Sequence, residues 1–186
     1  MDNIQKAQSI VGYRPKGRPE RDFYPTPREG TVGLLDHESF TGYIWEPACG
    51  DGAMTRVLQE YGYAVFNSDI EPRTTPAETM DFLKTDLLMT PCIVTNPPFS
   101  LAQQFAEHAL QLGATKVALL CKLAFLEGQK RTKWLEKSPL QTVYVFKKRL
   151  SLYRNGAKLW HGGMIAFAWF VWYKYQGNFP PVIKWI

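Results

Sequence analysis

Hydrophobic and polar positions alternate along the chain with two different periods. Short apolar runs predict strands at 43–46, 64–68, 92–95, 116–121, 142–147 and 164–173. Helices are predicted at 28–38, where Thr26 is the expected cap, at 53–61 and at 101–112, and a polar helix is predicted at 127–137. Because strands and helices alternate, we expect a parallel sheet with helices on both of its faces.

The last two predicted strands are connected differently from the others. The intervening segment 150–163 contains Asn155-Gly156 and Gly162-Gly163, which are turn residues, and it has no helical pattern. We therefore expect an antiparallel final pair. A mixed sheet of this kind differs from most dinucleotide-binding sheets, which end with parallel strands.

The chain divides into a short basic arm and one domain. Residues 1–22 carry Lys6, Arg14, Lys16, Arg18 and Arg21 among glycines and prolines. This composition predicts a flexible arm, although a disordered terminus without a role fits the sequence equally well. The remainder, 23–186, is long enough for one well-buried domain and too short for two.

Composition narrows the class of protein. Hydrophobic residues make up 45% of the chain and charged residues 21%, as in globular proteins. The longest apolar run, 164–173, has about half of the roughly 20 residues that a membrane-spanning helix needs. No secretory signal is visible, so we expect a cytoplasmic protein. Cys49, Cys92 and Cys121 are widely spaced, which predicts buried thiols and neither disulfides nor a metal site.

Charge is distributed very unevenly along the chain. Residues 1–112 contain 9 Lys/Arg and 15 Asp/Glu, whereas residues 113–186 contain 13 and 2, a net charge of +11. A solvated basic surface would explain a smaller excess. An excess of this size favours a polyanionic partner bound through its phosphates, and nucleic acid is the natural candidate.

A glycine-containing turn, Glu46 to Gly52, joins the first predicted sheet strand to the following helix. Glycines allow a ligand to approach the backbone closely. A full dinucleotide fingerprint would require glycine at position 55, where Thr55 stands. The carboxyl groups of Glu46 and Asp51 also suit a pyrophosphate poorly. The turn therefore favours a cationic cofactor that carries a sulfonium and an ammonium group.

Two further acidic positions fit a nucleoside cofactor. Asp69 ends the second predicted sheet strand, roughly 20 residues after the turn, where an acidic side chain meets ribose hydroxyls in this architecture. Asp81 is a candidate acceptor for an adenine amino group, and Phe82 is a candidate to pack on the ring. Asp86 is close enough in sequence to be a rival of Asp81.

The most specific motif is Asn96-Pro97-Pro98-Phe99, which follows the hydrophobic strand 92–95. The nitrogen lone pair of an aromatic amine is delocalised into its ring, so the amine is a poor methyl acceptor. An Asn side-chain oxygen and a neighbouring carbonyl can accept both amine hydrogens and turn the lone pair toward a donor. Prolines keep that carbonyl rigid, and Phe99 can stack on a base swung out of its helix.

Together these motifs resemble the amino-methyltransferases, and among them the adenine-N6 DNA methyltransferases. The segment Phe23 to Pro27 is similar to the one that closes over the methionine end of the cofactor in that family. The small size and the strand 168–172 look like the compact methyltransferases of bacteriophages. The resemblance covers most of residues 22–175 and implies a Rossmann-like class I fold with a mostly parallel seven-stranded sheet, in a bacterial or phage-infected cell.

The resemblance also implies roles for individual residues. The cofactor, S-adenosylmethionine, would be bound by Tyr24, Thr26, Glu46, Ala48, Gly50, Gly52, Asp69, Ile70, Asp81, Phe82 and Asn96. The target base would be bound by Asn96, Pro97, Pro98 and Phe99. Serine is usual where cytosine N4 is methylated, so Asn96 favours adenine.

Two departures from the family pattern limit what the resemblance implies. Phe99 replaces the common tyrosine, which leaves stacking possible. No separate target-recognition domain fits after residue 100, so only 123–129 and 150–163 remain as candidate reading loops, and we expect loose or short sequence specificity. RNA adenine, a protein glutamine amide or a non-catalytic nucleic-acid-binding role stay as alternatives to DNA methylation.

Basic and aromatic residues are interleaved near the end of the chain. They form a candidate phosphate-binding rim beside the active site and comprise Lys147, Lys148, Arg149, Arg154, Lys158 and Trp160. A second basic set, in the predicted helix 127–137, is equally well explained as the solvated face of that helix.

Overall fold

A computed structural model describes residues 23–74, 76–152, 165–175, 177 and 179–186. These residues form four α-helices: α1 (Arg28–Leu35), α2 (Ala53–Glu60), α3 (Ala102–Gln111) and α4 (Gln129–Leu135). They also form eight strands: β1 (Ile44–Glu46), β2 (Val65–Asp69), β3 (Glu78–Thr79), β4 (Cys92–Thr95), β5 (Lys116–Lys122), β6 (Leu140–Val145), β7 (Phe167–Tyr173) and β8 (Val182–Trp185). The predicted basic arm, 1–22, lies outside the described residues.

The eight strands belong to one sheet with the order β3-β2-β1-β4-β5-β7-β6-β8. Strand β7 pairs antiparallel with both β5 and β6, and the other pairs in the sheet are parallel. The mixed sheet and the antiparallel β6–β7 pair are thus confirmed.

The family resemblance implied seven strands, and the sheet has eight, so that number was wrong. The apolar pattern predicted six of the eight strands, and the two that it missed are β3 and β8. Strand β3 is only two residues long and both are exposed, so no apolar pattern marks it. Strand β8 follows Pro180-Pro181, pairs parallel with β6, and is exposed at all four positions. The chain therefore does not end on the antiparallel strand.

Side chains of the central strands alternate between two buried layers. On β5, Val117 and Leu119 pack in the layer that contains α3, whereas Ala118 and Leu120 pack in the layer that contains residues of α1 and α2. The same alternation continues on β7 from Phe167 to Trp172. Helices on both faces of the sheet are therefore confirmed, and the apolar strand sequences follow from burial on both sides.

Helix α1 begins at Arg28, as expected, but it ends at Leu35, three residues earlier than expected. Its N-cap is Pro27, with extended backbone angles, and no side chain caps the helix. The hydroxyl of Thr26 accepts a hydrogen bond from Asn96 instead. The prediction that Thr26 caps this helix was wrong, because a long-range partner holds its side chain.

The side chain of Trp169 on β7 joins α1 to the sheet. Its indole Nε1 donates to the carbonyl oxygen of Gly30 at 2.7 Å, and the residue is fully buried. This contact spans 139 positions of sequence. Because α1 directly follows Thr26, the tryptophan also fixes the position of that residue relative to the sheet.

The cysteines and the lengths of the helices can also be compared with the expectations from composition. Cys49, Cys92 and Cys121 are all free and buried, as expected. Within the described ranges, the helices are too short or too polar to cross a bilayer.

We expect Trp169→Phe to lower the free energy of unfolding by about 1–3 kcal/mol, because it removes a buried hydrogen bond and packed volume. Trp185→Phe is the matched control, since Trp185 is 62% exposed and the same change there should cost less than about 0.5 kcal/mol. Urea unfolding of both full-length variants measures the difference. Equal losses would show that Trp169 does not fix α1 to the sheet.

Candidate active site

The carboxyl ends of the parallel strands meet at one edge of the sheet. There β1 ends at Glu46, β2 ends at Asp69, and Asn96 directly follows β4. These three residues line a single cavity of about 550 Å³. A cavity of this size at this edge is typical of sites for small ligands in α/β proteins.

Most residues that the sequence assigned to the site line this cavity. They are Tyr24, Thr26, Glu46, Ala48, Gly50, Asp69, Ile70, Asp81, Phe82, Asn96, Pro97, Pro98 and Phe99. Gly52 is not among the lining residues; it is the N-cap of α2, in a left-handed conformation with φ of 73°. Asp86 is exposed and also lies away from the cavity, so its position favours Asp81 as the nucleoside candidate.

Gly50 is required by its surroundings as well as by its backbone. Its φ is 51°, and a Cβ added there would lie 2.3 Å from the ring of Phe23. The guanidinium of Arg73 lies 4.5 Å from the centre of that ring, on its face. The backbone N–H of Arg73 also donates to the Gly50 carbonyl at 2.9 Å. Phe23 and Arg73 therefore cover the glycine turn, and a side chain at position 50 would displace them.

The carboxylate of Asp69 ties the glycine turn to the end of β2. It accepts a hydrogen bond from the Gly50 N–H at 2.9 Å and another from the Glu71 N–H at 2.9 Å. Each oxygen keeps lone-pair capacity for a further donor. Asp69 is thus oriented by two backbone N–H groups, those of Gly50 and Glu71, and can still accept from ligand hydroxyls.

The buried carboxyl group of Glu46 competes with Asn67 for the hydroxyl of Thr55. The Thr55 hydroxyl contacts both a carboxyl oxygen of Glu46 and the side-chain oxygen of Asn67, the latter at 2.7 Å. The orientation of Asn67 is fixed because its amide nitrogen donates to the Pro76 carbonyl. One hydroxyl proton cannot serve two acceptors. Thr55 can therefore donate to only one of the two at a time, and a proton on Glu46 would allow both contacts to be satisfied.

Burial of Glu46 favours the protonated form of its carboxyl group. Glu46 is only 2% exposed, and desolvation raises the pKa of its carboxyl from 4.5 to about 8, against the lowering effect of the hydrogen bonds with Thr55. The neighbouring carboxylates of Asp51 and Asp69 raise the pKa further. A cationic group bound next to Glu46 would favour its ionised form and lower this pKa.

The two amide atoms of Asn96 differ in their contacts. Its Nδ2 donates to the carbonyl oxygen of Tyr24 and to the hydroxyl of Thr26, both at 3.1 Å. Because a carbonyl can only accept, this contact fixes which amide atom is the nitrogen. The Oδ1 atom is buried and has no hydrogen-bond partner among the described residues. It is an oriented acceptor without a donor.

The turn after Asn96 is closed by the backbone. The carbonyl of Pro98 accepts from the N–H of Leu101 at 2.8 Å. The ring of Phe99 lies 5.9 Å from that of Tyr24 and 5.4 Å from that of Phe167. The ammonium of Lys122 lies over the Phe99 ring, 5.2 Å from its centre. Phe99 is therefore held in place, with one face covered by a cation.

Asp81 and Phe82 are more engaged with the protein than the sequence suggested. The Asp81 carboxylate accepts from the Leu83 N–H and pairs with Lys84 at 3.0 Å. Phe82 is 2% exposed and packs against Trp45 and Phe105, with ring centres 5.1 and 4.9 Å away. Both line the cavity, yet the core determines where Phe82 lies. Their contacts with a nucleoside remain a prediction.

The basic residues fall into two groups. Lys147, Lys148 and Arg149 are exposed and follow β6, whose carboxyl end lies at the same edge of the sheet as Asn96. Arg154, Lys158 and Trp160 lie outside the described residues. In the other basic set, Arg131 donates to the carbonyls of Ala124, Phe125 and Glu127, so it has a structural role.

The structure adds three residues that the sequence did not single out: Phe23, Arg73 and Lys122. Phe23 belongs to the motif that pointed to Tyr24 and Thr26, but only the close approach of Gly50 reveals its position. Arg73 lies in a proline-rich turn without a distinguishing pattern. Lys122 could have been found, because it is the last residue of β5 and its strand end lies at the edge with Asn96. Among the described residues, no cluster of three or more His, Cys, Asp or Glu side chains could hold a metal ion.

Solved structures of methyltransferases share this fold. A provisionally assigned RNA methyltransferase from Pyrococcus horikoshii matches with a TM-score of 0.60 at 11% identity, covering 93% of this chain and 99% of that one. The methyltransferase subunit of a type I restriction-modification system from Streptococcus thermophilus gives 0.57 at 12% identity, covering 84% and 46%. A TehB-like SAM-dependent methyltransferase from Corynebacterium glutamicum gives 0.51 at 14% identity, covering 92% and 95%.

At these identities the likeness establishes the fold alone, which is the Rossmann-like α/β fold of methyltransferases. No family model matches the sequence, and no curated protein matches it. The chain spans about half the length of the type I methyltransferase subunits that it matches.

The raised pKa of the Glu46 carboxyl predicts that the stability of the protein depends on pH. Its folded-state pKa of about 8 lies above 4.5, so its contribution is fully present below pH 4.5 and is lost as the pH rises toward about 8. Over this window the effect approaches about 1.4 kcal/mol per pH unit. Glu46→Gln should remove it, because the amide can donate to Thr55 at any pH.

The measurement is urea unfolding of the ligand-free protein across that pH window. The exposed Glu29→Gln variant, which removes the same charge, should retain the wild-type pH dependence. If Glu46→Gln and the wild type lose stability in parallel as the pH rises, Glu46 is ionised in the folded protein.

Proposed function

We propose that this chain is an S-adenosylmethionine-dependent methyltransferase that acts on the N6 amino group of adenine in DNA. The observation that carries the proposal is the Oδ1 atom of Asn96, which is buried, oriented and without a donor in the described part of the chain. An unpaired buried acceptor costs about 1–3 kcal/mol. Such a cost is expected where a substrate supplies the missing donor.

An exocyclic amine fits the chemistry of this acceptor. Its two hydrogens need two acceptors, and Asn96 Oδ1 would take one. The Pro98 carbonyl is already bonded to Leu101, so the Pro97 carbonyl is the candidate for the second. Drawing both hydrogens to one side directs the nitrogen lone pair to the other side. Phe99 would contact the ring that bears the amine.

The cavity suits a cationic cofactor better than a phosphate-bearing one. Two basic residues, Arg73 and Lys122, line its described part, and five carboxyl side chains do: Glu46, Asp51, Asp69, Glu71 and Asp81. Arg73 is stacked on Phe23. S-adenosylmethionine supplies a methyl group on a positively charged sulfur, and it also carries an ammonium group.

Each part of that cofactor has candidate partners in the cavity. Glu46 and Thr26 would bind its methionine end, since both are buried polar residues there. Asp69 would accept from the ribose hydroxyls with its remaining lone pairs. Ile70, which is 47% exposed and follows Asp69, would cover the adenine together with Phe82 and Asp81. The methylated amine can release its proton to water, so the reaction demands no general base.

The substrate assignment is supported by charge and by the motif. Residues 113–186 carry a net charge of +11, which favours nucleic acid over a protein glutamine. Asn96, rather than serine, favours adenine over cytosine. The fold occurs both in a restriction-modification methyltransferase subunit and in a provisionally assigned RNA methyltransferase, so RNA adenine is the second candidate. The family resemblance places DNA first.

The decisive experiment is transfer of labelled methyl groups to DNA, RNA and protein in parallel, followed by hydrolysis and separation of the products. We expect label in N6-methyladenine from DNA. Label in RNA alone, in cytosine or in glutamine would refute the corresponding part of the assignment. Cofactor binding without transfer to any of these substrates would support a non-catalytic binding role.

Asn96→Ala should lower kcat by a factor on the order of 10² to 10³, the effect of losing one oriented hydrogen-bonding group in an active site. Cofactor affinity, measured by calorimetry, should change by less than about tenfold, which is about 1.4 kcal/mol, because Asn96 Nδ2 bonds only to the chain.

Thr26→Val is the matched control for this variant. It removes one partner of the Asn96 nitrogen but leaves Oδ1 in place, so its kcat should fall less. If Asn96→Ala abolishes cofactor binding while Thr26→Val abolishes catalysis, the role of Asn96 has been misassigned.

A further inference from the structure

We propose that Lys122 is a specificity-determining residue that binds the phosphate beside the target base and leaves the ring of Phe99 when the base stacks there. The inference rests on the proposed function, since it requires a nucleic-acid substrate. The inference adds a residue that would distinguish substrates with a phosphate backbone from those without one.

The position of Lys122 is set by the sheet. It is the last residue of β5, which lies next to β4 in the sheet, so its side chain starts from the same edge as Asn96. Its backbone is held by the antiparallel pairing with Phe167 and by the following Leu123 N–H, which donates to the Ala166 carbonyl at 2.8 Å. The side chain therefore leaves a rigid strand end.

The ammonium of Lys122 covers one face of the ring on which a flipped base is proposed to stack. It lies over the face of Phe99, 5.2 Å from the ring centre. Tyr24 and Phe167 are tilted against the same ring at 5.9 and 5.4 Å. A base that stacks on the face of Phe99 covered by Lys122 must take the place of this cation.

The exchange is favourable if the substrate brings an anion. Base–aromatic stacking is generally stronger than a cation–π contact at a partly exposed ring. The phosphates next to a flipped nucleotide lie close to its base, and an ammonium pairs with a phosphate as a point charge. Lys122 would therefore exchange the ring of Phe99 for a phosphate as the base takes that ring.

Charge around the cavity fits this division of roles. The carboxyl groups that suit a cationic cofactor are Glu46, Asp51, Asp69, Glu71 and Asp81, and Arg73 lies at the glycine turn over Phe23. Lys122 is the basic residue that lies at Phe99, next to Asn96. A glutamine side chain would bring neither a ring nor a phosphate. Lys122 would then stay on Phe99 and block the approach of the glutamine to that ring.

The test compares Lys122→Met with wild type in methyl transfer to a mixed-sequence DNA oligonucleotide over a range of salt concentrations. Lys122→Met should raise KM for the oligonucleotide about tenfold and reduce the slope of log affinity against log salt by about one unit. We expect kcat to stay within about twofold, and Lys122→Arg should keep the wild-type slope.

Lys174→Met is the matched control for net charge. Lys174 is exposed and follows β7, at the opposite edge of the sheet from the cavity, so its KM and salt slope should equal those of wild type. Cofactor affinity should be unchanged in all three variants, which checks that the site is folded. An RNA oligonucleotide of the same base sequence forms a second arm.

Each result decides one point. An unchanged salt slope with a large loss of kcat in Lys122→Met would show that Lys122 only holds Phe99, which overturns the inference. An altered slope with RNA but not with DNA would overturn the assignment of the phosphate to DNA. Absence of methyl transfer by the wild type to any nucleic acid would refute the proposed function itself, which is a different outcome from wild-type activity that Lys122→Met leaves intact.

Discussion

The site depends on the amide nitrogen of Asn96, which binds Tyr24 and Thr26 across 72 and 70 positions of sequence. These two hydrogen bonds join the segment before α1 to the end of β4, and Trp169 joins α1 itself to β7. The segment before α1 and the turn after β4, which both line the cavity, therefore meet at one planar group. Because the nitrogen is fully used in this way, the oxygen of the same amide is oriented toward whatever donor a substrate brings.

Acidic and basic side chains lie in different parts of the cavity, which the net charge of +5 does not reveal. Carboxyl groups line the cavity at the ends of β1 and β2, and burial raises the pKa of the Glu46 carboxyl. A basic residue lies beside Phe99. A positively charged cofactor and a negatively charged substrate backbone would each meet the sign that they require, while repulsion would disfavour the reverse arrangement.

The sequence predicted the central part of the fold well because burial on both faces leaves a strong apolar signal. Strand β4 was predicted to the residue, and β5 and α2 to within one residue. Strands β3 and β8 are exposed, so their sequences carry no such signal. Thr26 was misjudged as a helix cap because local propensity cannot foresee a partner at position 96. Phe82 and Asn96 were located correctly, but the core contacts of Phe82 and the unpaired oxygen of Asn96 depend on side-chain packing that spacing along the chain does not encode.

The position of β7 has a consequence for how the protein forms. This strand inserts between β5 and β6, and it supplies Trp169 to α1 and Phe167 to the ring of Phe99. During synthesis from the ribosome, both neighbours of β7 emerge before it does. The sheet would remain split until residues 167–173 are available, and closing it requires contacts between distant parts of the chain, which slows folding. The nascent chain would thus acquire the contact between Phe167 and the ring of Phe99 last.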